Sequence, residues 1–123
     1  MKMILAIGAG SFAGGVCRYL LTLLVQAKTT AQFPLGTLTV NLAGCFLIGI
    51  VFGFFDRGLV SREWNLFLAT GVLGGFTTFS AFSLETFTLL KGGRADYAVL
   101  YVLASVLLGL LATAFAYWMV KQC

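Results

Sequence analysis

The chain is 123 residues long, 60% hydrophobic and only 10% charged, with a formal net charge of +4. Soluble domains carry about 25% charged residues, so this composition excludes a water-soluble globule and a disordered chain, and it indicates an integral membrane protein. The sequence has no histidine, which excludes a Ser-His-Asp triad and a histidine-ligated zinc or haem. An enzyme is therefore not expected.

Four apolar segments are each longer than the roughly 20 residues that a helix needs to span a bilayer. They cover residues 3–26, 33–55, 64–90 and 97–120. The links between them are residues 27–32, 56–63 and 91–96. Because these links are short and polar, neighbouring helices must run antiparallel. The sequence predicts an all-α membrane protein, with one four-helix transmembrane domain over residues 1–123 whose outer surface contacts membrane lipid.

The first segment follows Lys2, as the apolar part of a signal peptide would. The run is longer than a signal peptide, however, and it lacks a convincing A-x-A cleavage site before the next helix. We therefore expect this segment to be retained as a transmembrane helix.

The positive charges of the ends and loops are divided almost evenly between the two membrane faces. Face A, which holds both termini, carries Lys2, Arg57, Arg62 and Lys121, and face B carries Lys28, Lys91 and Arg94. Because the Lys/Arg asymmetry of short loops sets orientation, a difference of one predicts insertion in both orientations. The alternative is that helix packing fixes a single orientation. The basic residues form no run, so nucleic-acid binding is not expected.

The third segment is predicted to break at its centre. Its 27 residues would span about 40 Å as a continuous helix, against a hydrocarbon core of roughly 30 Å. Gly74-Gly75 and Thr77-Thr78 stand at the centre, where a helix is poorly supported. Unwound backbone survives at this depth only when it is buried or coordinates something, and the carbonyls of Gly74 and Thr77 would suit a small hard cation. The alternative is that Gly71 and Gly75 form a small-xxx-small packing face.

Phenylalanines and hydroxyls repeat with helical spacing after this break. Phe79 and Phe82 are three residues apart, as are Ser80 and Ser83, so each pair shares one helix face. Such an aromatic pair usually packs, but the electropositive ring edges can also face an anion without adding a charge that traps it. The nearby hydroxyls are more numerous than a lipid-facing helix needs, which favours the second interpretation.

Arg18 and Glu85 are ionisable residues within apolar segments, which makes each a functional candidate. Two interpretations stay open: a structural Arg18–Glu85 ion pair, or a positive field that draws anions inward. Other intramembrane polar residues fall in the same half of the bilayer, namely Thr37, Asn41, Tyr101 and Ser105.

A polar path through only half of a membrane conducts nothing. A second copy inserted upside down would continue the path through the other half, and the balanced loop charges permit such a copy. The sequence therefore predicts a dual-topology antiparallel homodimer in which the carbonyls of two broken helices converge on one ion.

Three motifs resemble the Fluc (CrcB) family of fluoride channels. They are Gly14-Gly15-x-x-Arg18-Tyr19, Gly36-Thr37-Leu38-x-Val40-Asn41-x-x-Gly44, and Gly74-Gly75-Phe76-Thr77-Thr78-Phe79-Ser80-Ala81-Phe82-Ser83 with Glu85. The resemblance covers the whole chain, and the third motif is the most specific. It implies a dual-topology dimer with two fluoride pores and a structural sodium ion at the dimer interface. It also implies passive, fluoride-selective conduction across the bacterial inner (plasma) membrane that lowers cytoplasmic fluoride.

The resemblance also implies roles for individual residues. Asn41 resembles the pore asparagine, Phe79 and Phe82 the pore phenylalanines, and Gly74 and Thr77 the residues whose carbonyls bind sodium. The remaining pore candidates are Ser80, Ser83, Thr37, Tyr101 and Ser105, with Arg18 and Glu85 at a vestibule or in an ion pair. Gly109 stands where some members of the family carry a further serine.

The main alternative function is a proton-coupled exporter that resembles the small multidrug resistance family, which shares the length, the four helices and the dual topology. Such a carrier uses a carboxylate in its first helix, whereas this first segment holds Arg18 and no acid. A purely structural membrane subunit is a third possibility, but it would not need Asn41 and the hydroxyls.

Overall fold

The computed structural model describes residues 1–30 and 32–123, which form helices and connecting loops with no β-strand among them. Four helical spans are long and apolar enough to cross a membrane. They are Lys2–Lys28, Leu35–Asp56, Arg62–Lys91 and Ala95–Gln122. The four predicted segments are confirmed, because each end lies within two residues of its predicted position.

Three of the spans are continuous helices, named α1 (Lys2–Lys28), α2 (Leu35–Asp56) and α6 (Ala95–Gln122). The third span consists of α3 (Arg62–Asn65), a π-helix (Leu66–Leu73), α4 (Gly74–Phe76) and α5 (Phe79–Lys91). Glycines with positive φ follow two of these helices, Gly58 at 70° after α2 and Gly93 at 75° after α5. Such angles favour glycine, which explains why these helices end there.

Small residues bring α1 against the third span. A Cβ atom added at Gly14 would collide with the main-chain carbonyl of Val72, and one added at Gly75 would collide with the main chain of Ser11. Gly71 makes a less close contact, since a Cβ added there would lie 3.1 Å from the main-chain oxygen of Ile7. The small-xxx-small packing of Gly71 and Gly75 is therefore present, and it coexists with the predicted break.

The α2 and α6 helices pack by the same means and are joined at face A. A Cβ at Gly53 would lie 2.9 Å from Val120. The Lys121 Nζ is 3.2 Å from Asp56 Oδ2, and Arg57 donates a hydrogen bond of 2.8 Å to the Val120 carbonyl. Large apolar side chains are exposed on all four spans, as expected of a surface that faces lipid.

Candidate functional site

The third span is interrupted at two threonines. Thr77 (φ −82°, ψ 157°) and Thr78 (φ −148°, ψ 121°) are extended, whereas Gly74 remains helical at φ −63° and ψ −35°. Extended backbone suits β-branched residues, whose side chains are restricted in a helix. The predicted break is confirmed, and it lies just after the paired glycines.

Asn41 of α2 bridges this interruption with both ends of its side-chain amide. Its Nδ2 donates to the Thr78 carbonyl at 3.0 Å, and the Thr78 N–H donates to its Oδ1 at 2.9 Å. Asn41 thus provides the hydrogen bonds that the N–H and the carbonyl of Thr78 would have made in a continuous helix. An amide nitrogen has two hydrogens, and no described residue accepts the second.

The main-chain carbonyls just before the interruption lose their helical donors, and those of Gly74 and Thr77 are two of them. In a continuous helix the Gly74 carbonyl would accept from the N–H of Thr78, and the Thr77 carbonyl from that of Ala81. Here the Thr78 N–H donates to Asn41, and the Ala81 N–H donates to Thr78 Oγ1 at 3.3 Å. The predicted pair of freed carbonyls is therefore consistent with the hydrogen bonding.

These carbonyls are suitable ligands for a hard cation, because such ions prefer oxygen ligands. No group of three or more His, Cys, Asp or Glu side chains in the described chain could hold a metal. A cation held near the interruption would therefore rely on main-chain, hydroxyl or amide oxygens. The carbonyls of Gly74 and Thr77 would supply two of the roughly six ligands of a hard cation, so other oxygens would have to supply the rest.

Three aromatic rings form a row beside the interruption. The Phe79 and Phe82 ring centroids are 5.5 Å apart at 45°, and those of Phe82 and Tyr101 are 5.1 Å apart at 55°. Phe79 is 79% exposed in the single chain. On the same turn, the Ser80 and Thr78 hydroxyl oxygens are 3.1 Å apart.

Glu85 is held by two neutral hydroxyls. Thr37 Oγ1 donates to its Oε1 and the Tyr101 hydroxyl donates to its Oε2, both at 2.7 Å. Tyr101 is fully buried and Thr37 is 5% exposed. An Arg18–Glu85 ion pair does not occur among the described residues, whose ion pairs are Arg94–Asp96 and Lys121–Asp56. Tyr101 thus binds Glu85 through the group that was predicted to line a pore.

Two recesses flank the interruption, and Thr78 contributes to both. The apolar recess has a volume of about 390 Å³, and its lining includes Asn41, Gly74, Thr77, Phe79, Phe82 and Ser105. The charged recess has a volume of about 480 Å³, and its lining includes Arg18, Thr22, Thr37, Ser80 and Glu85. The structure therefore divides most of the predicted site residues between two adjoining recesses. Ser83 is exposed and Tyr101 is fully buried, and both lie outside the two recesses.

Ser105 presents a buried hydroxyl to the apolar recess. Its Oγ has no hydrogen-bond partner among the described residues. Buried polar atoms are nearly always paired, so an unpaired hydroxyl in a recess indicates a place where a ligand or water can bind.

Sequence reasoning missed Cys45, which lines the apolar recess, and Thr22, which lines the charged recess. Thr22 stands four residues after Arg18, so the helical period of α1 could have placed it on the same face. Cys45 offered no such signal, because small thiols are common in apolar helices.

A helical membrane bundle with an interrupted helix, flanked by one apolar and one charged recess, is typical of a membrane transport protein. Residues 5–117 match the family described as CrcB-like protein, Camphor Resistance (CrcB). The chain belongs to this family, which confirms the resemblance indicated by its three motifs.

Similar proteins in three bacteria carry the name fluoride-specific ion channel FluC. The Phocaeicola vulgatus protein is 42% identical over 119 residues, which cover 97% of this chain and 98% of the relative. The Chlorobium phaeobacteroides protein is 45% identical, covering 96% and 92%. The Thermus thermophilus protein is 46% identical, covering 95% and 94%. These relatives are named as channels rather than enzymes, which agrees with the expectation from the sequence.

Proposed function

We propose that this chain forms a passive, fluoride-selective channel in the bacterial inner membrane that lowers cytoplasmic fluoride. The observation that carries the proposal is that Phe79, Phe82 and Ser105, all uncharged, line one recess beside the interruption. Membership of the CrcB family and the names of the relatives support the choice of fluoride.

Fluoride is small and holds water tightly, so it must meet replacement donors as it moves. Arg18 in the charged recess supplies a positive field that attracts an anion. Beyond the interruption, the spare N–H of Asn41, the Ser105 hydroxyl and the phenylalanine edges offer several weak sites in series. Conduction requires binding that is favourable yet escapable, and no lysine or arginine lines the apolar recess to trap the ion.

We propose further that two chains assemble as an antiparallel dimer in dual topology. Gly74 and Phe79 are exposed in the single chain, and a second copy would cover this surface. The near-equal division of Lys and Arg between the two faces permits both orientations. The Gly74 and Thr77 carbonyls of each copy would together hold a sodium ion, whose charge would stabilise main-chain oxygens that lipid cannot satisfy.

Efflux from liposomes tests the proposed function. Purified protein is reconstituted with internal potassium fluoride or potassium chloride, and external anion is followed after a potassium ionophore is added. Fast fluoride efflux with negligible chloride efflux is expected. Efflux of both anions, or of neither, would contradict the proposal, and proton-driven uptake of a cationic drug would favour the multidrug exporter.

Two further measurements test the assembly. Reporter tags at the C-terminus should be found on both faces of the membrane, and a C-terminus confined to one face would contradict dual topology. Replacing sodium with a large organic cation during purification should lower fluoride efflux, and readdition of sodium should restore it. Efflux that is independent of sodium at every stage would argue against the ion site.

A further inference from the structure

A group of aromatic and polar side chains at face B lies outside both recesses. Arg94, in the connection before α6, donates to Gln32 Oε1 at 2.7 Å, and its guanidinium carbon lies 3.8 Å from the centre of the Tyr97 ring. Its Nε is 3.6 Å from Asp96 Oδ1. An arginine in a short loop is thus held by an amide, a ring and a carboxylate at once, and the ring contact requires the planar guanidinium.

Phe33 connects this group with Tyr101, a buried residue in the first half of α6. Its ring meets Tyr97 edge-on at 5.9 Å and 80°, and it meets Tyr101 edge-on at 5.5 Å and 78°. Edge-to-face pairs have a preferred geometry, so a displaced Tyr97 ring would shift Phe33. A continuous series of contacts, through the rings of Tyr97 and Phe33, therefore links Arg94 to Tyr101.

Tyr101 links these contacts to the two recesses, because it contacts a residue that lines each of them. Its hydroxyl donates to Glu85 and its ring contacts Phe82. Because Tyr101 is fully buried, its ring orientation is set by its neighbours, and Phe33 is one of them. A change in ring orientation would move the hydroxyl from Glu85 and the ring from Phe82 together.

We infer that Arg94 is a positioning residue for ion passage, which acts through Tyr97 and Phe33 to set the orientation of Tyr101. The inference rests on the proposed function, since its first measurement is fluoride efflux. Arg94 touches neither recess, so its effect depends on Tyr101, which contacts Glu85 through its hydroxyl and Phe82 through its ring.

A double-mutant cycle separates this role from simple attraction of anions by a loop charge. Arg94→Ala should slow fluoride efflux about 3- to 10-fold, which lies within the coupling measured between residues in contact. In a Tyr101→Phe background the same change should slow efflux less, because the hydroxyl that reaches Glu85 is absent and only the ring contact with Phe82 remains. Lys91→Ala is the matched control, since Lys91 is an exposed cation at the same connection, and its efflux should equal that of the wild type.

Three results would overturn the inference. They are wild-type efflux in Arg94→Ala, an equal slowing in both backgrounds, and an equal slowing in Lys91→Ala. If Arg94→Ala does not assemble, Arg94→Lys serves in its place. It keeps the charge and loses the planar contact, so it should also slow efflux, whereas wild-type efflux would point to the charge alone.

A measurement independent of transport separates failure of the inference from failure of the proposed function. With 3-fluorotyrosine at position 101, Arg94→Ala should shift or broaden its ¹⁹F resonance, and Lys91→Ala should leave it unchanged. An unaltered resonance in Arg94→Ala would overturn the inference. Wild-type protein that passes no fluoride would refute the proposed function, and the resonance alone would then decide the role of Arg94.

Discussion

Asn41 and Thr78 form a reciprocal pair of hydrogen bonds, 3.0 Å and 2.9 Å long, between α2 and the interruption of the third span. At bilayer depth no water is available to satisfy the two main-chain groups of Thr78. The extended conformation of Thr78 is therefore stabilised by a side chain from another helix. Asn41 therefore lines the apolar recess and also holds the extended backbone of Thr78, which lines the same recess.

Replacement of Asn41 by leucine should both destabilise the protein and stop transport. Asn41→Leu leaves the Thr78 N–H and carbonyl unpaired, at a cost of about 1–3 kcal/mol for each group. The loss should appear as a lower free energy of unfolding in denaturant titration and as fluoride efflux near the protein-free background. Thr39→Val, at an exposed position of α2, is the control and should change neither value. Normal efflux in Asn41→Leu would contradict the role assigned to this residue.

Phe79→Ile and Phe82→Ile should each slow fluoride passage while leaving the protein assembled. Isoleucine keeps the apolar character but removes the electropositive ring edge, which is worth about 1 kcal/mol. That loss corresponds to a rate about fivefold lower. Phe87→Ile is the control, because Phe87 is an exposed phenylalanine of α5 that lines neither recess. Unchanged efflux in both pore variants would refute an edge-on role.

Gly14→Ala should destabilise the contact between α1 and the third span. The added methyl group would collide with the Val72 carbonyl and lie 2.8 Å from the Phe76 nitrogen. Overpacking of this kind costs about 1–3 kcal/mol, measurable as a lower free energy of unfolding. Gly8→Ala on the same helix is the control, since nothing lies within 4 Å of its added methyl group. Equal stability of the two variants would show that α1 and the third span are not packed as described.

Glu85→Gln should weaken the attachment of α5 to α2 and α6. A carboxylate accepts both hydroxyl bonds, whereas an amide offers one oxygen and turns its NH₂ group toward the other hydroxyl. The loss of a charge-assisted bond costs about 1.5–3 kcal/mol, which thermal unfolding would detect. Glu63→Gln, at an exposed position of α3, should lower the unfolding temperature less, because its interactions with Ser61 and its own backbone are exposed to water. An unaltered unfolding temperature in Glu85→Gln would show that these hydroxyl bonds contribute no stability.

The four spans were predictable because a bilayer requires long apolar runs, and those runs are continuous in the sequence. The break was predictable as well, because paired glycines and paired threonines are weak helix formers at the centre of a span. The partners of Glu85 were not predictable. Thr37 and Tyr101 lie 48 and 16 residues away from it in the chain, and only the packing of three helices brings their hydroxyls to its carboxylate.

The π-helix at Leu66–Leu73 could not have been predicted either. Its sequence is uniformly apolar apart from Thr70 and Gly71, and a π-helix has no compositional signature of its own. Close contact with α1 accompanies it, since a Cβ at Gly10 would lie 3.0 Å from the Val72 nitrogen. Helical type is decided here by long-range packing, which local sequence patterns do not report.

The same π-helix lets the third span hold more residues than an α-helix would over the same number of turns. Its hydrogen-bonded rings hold one residue more than those of an α-helix. Removing a single residue from Leu66–Leu73 would let an ordinary α-helix form there. Such a deletion would turn Trp64 relative to Thr77 by less than the roughly 100° that loss of a residue from a regular α-helix produces, because the wide turns take up the additional residue.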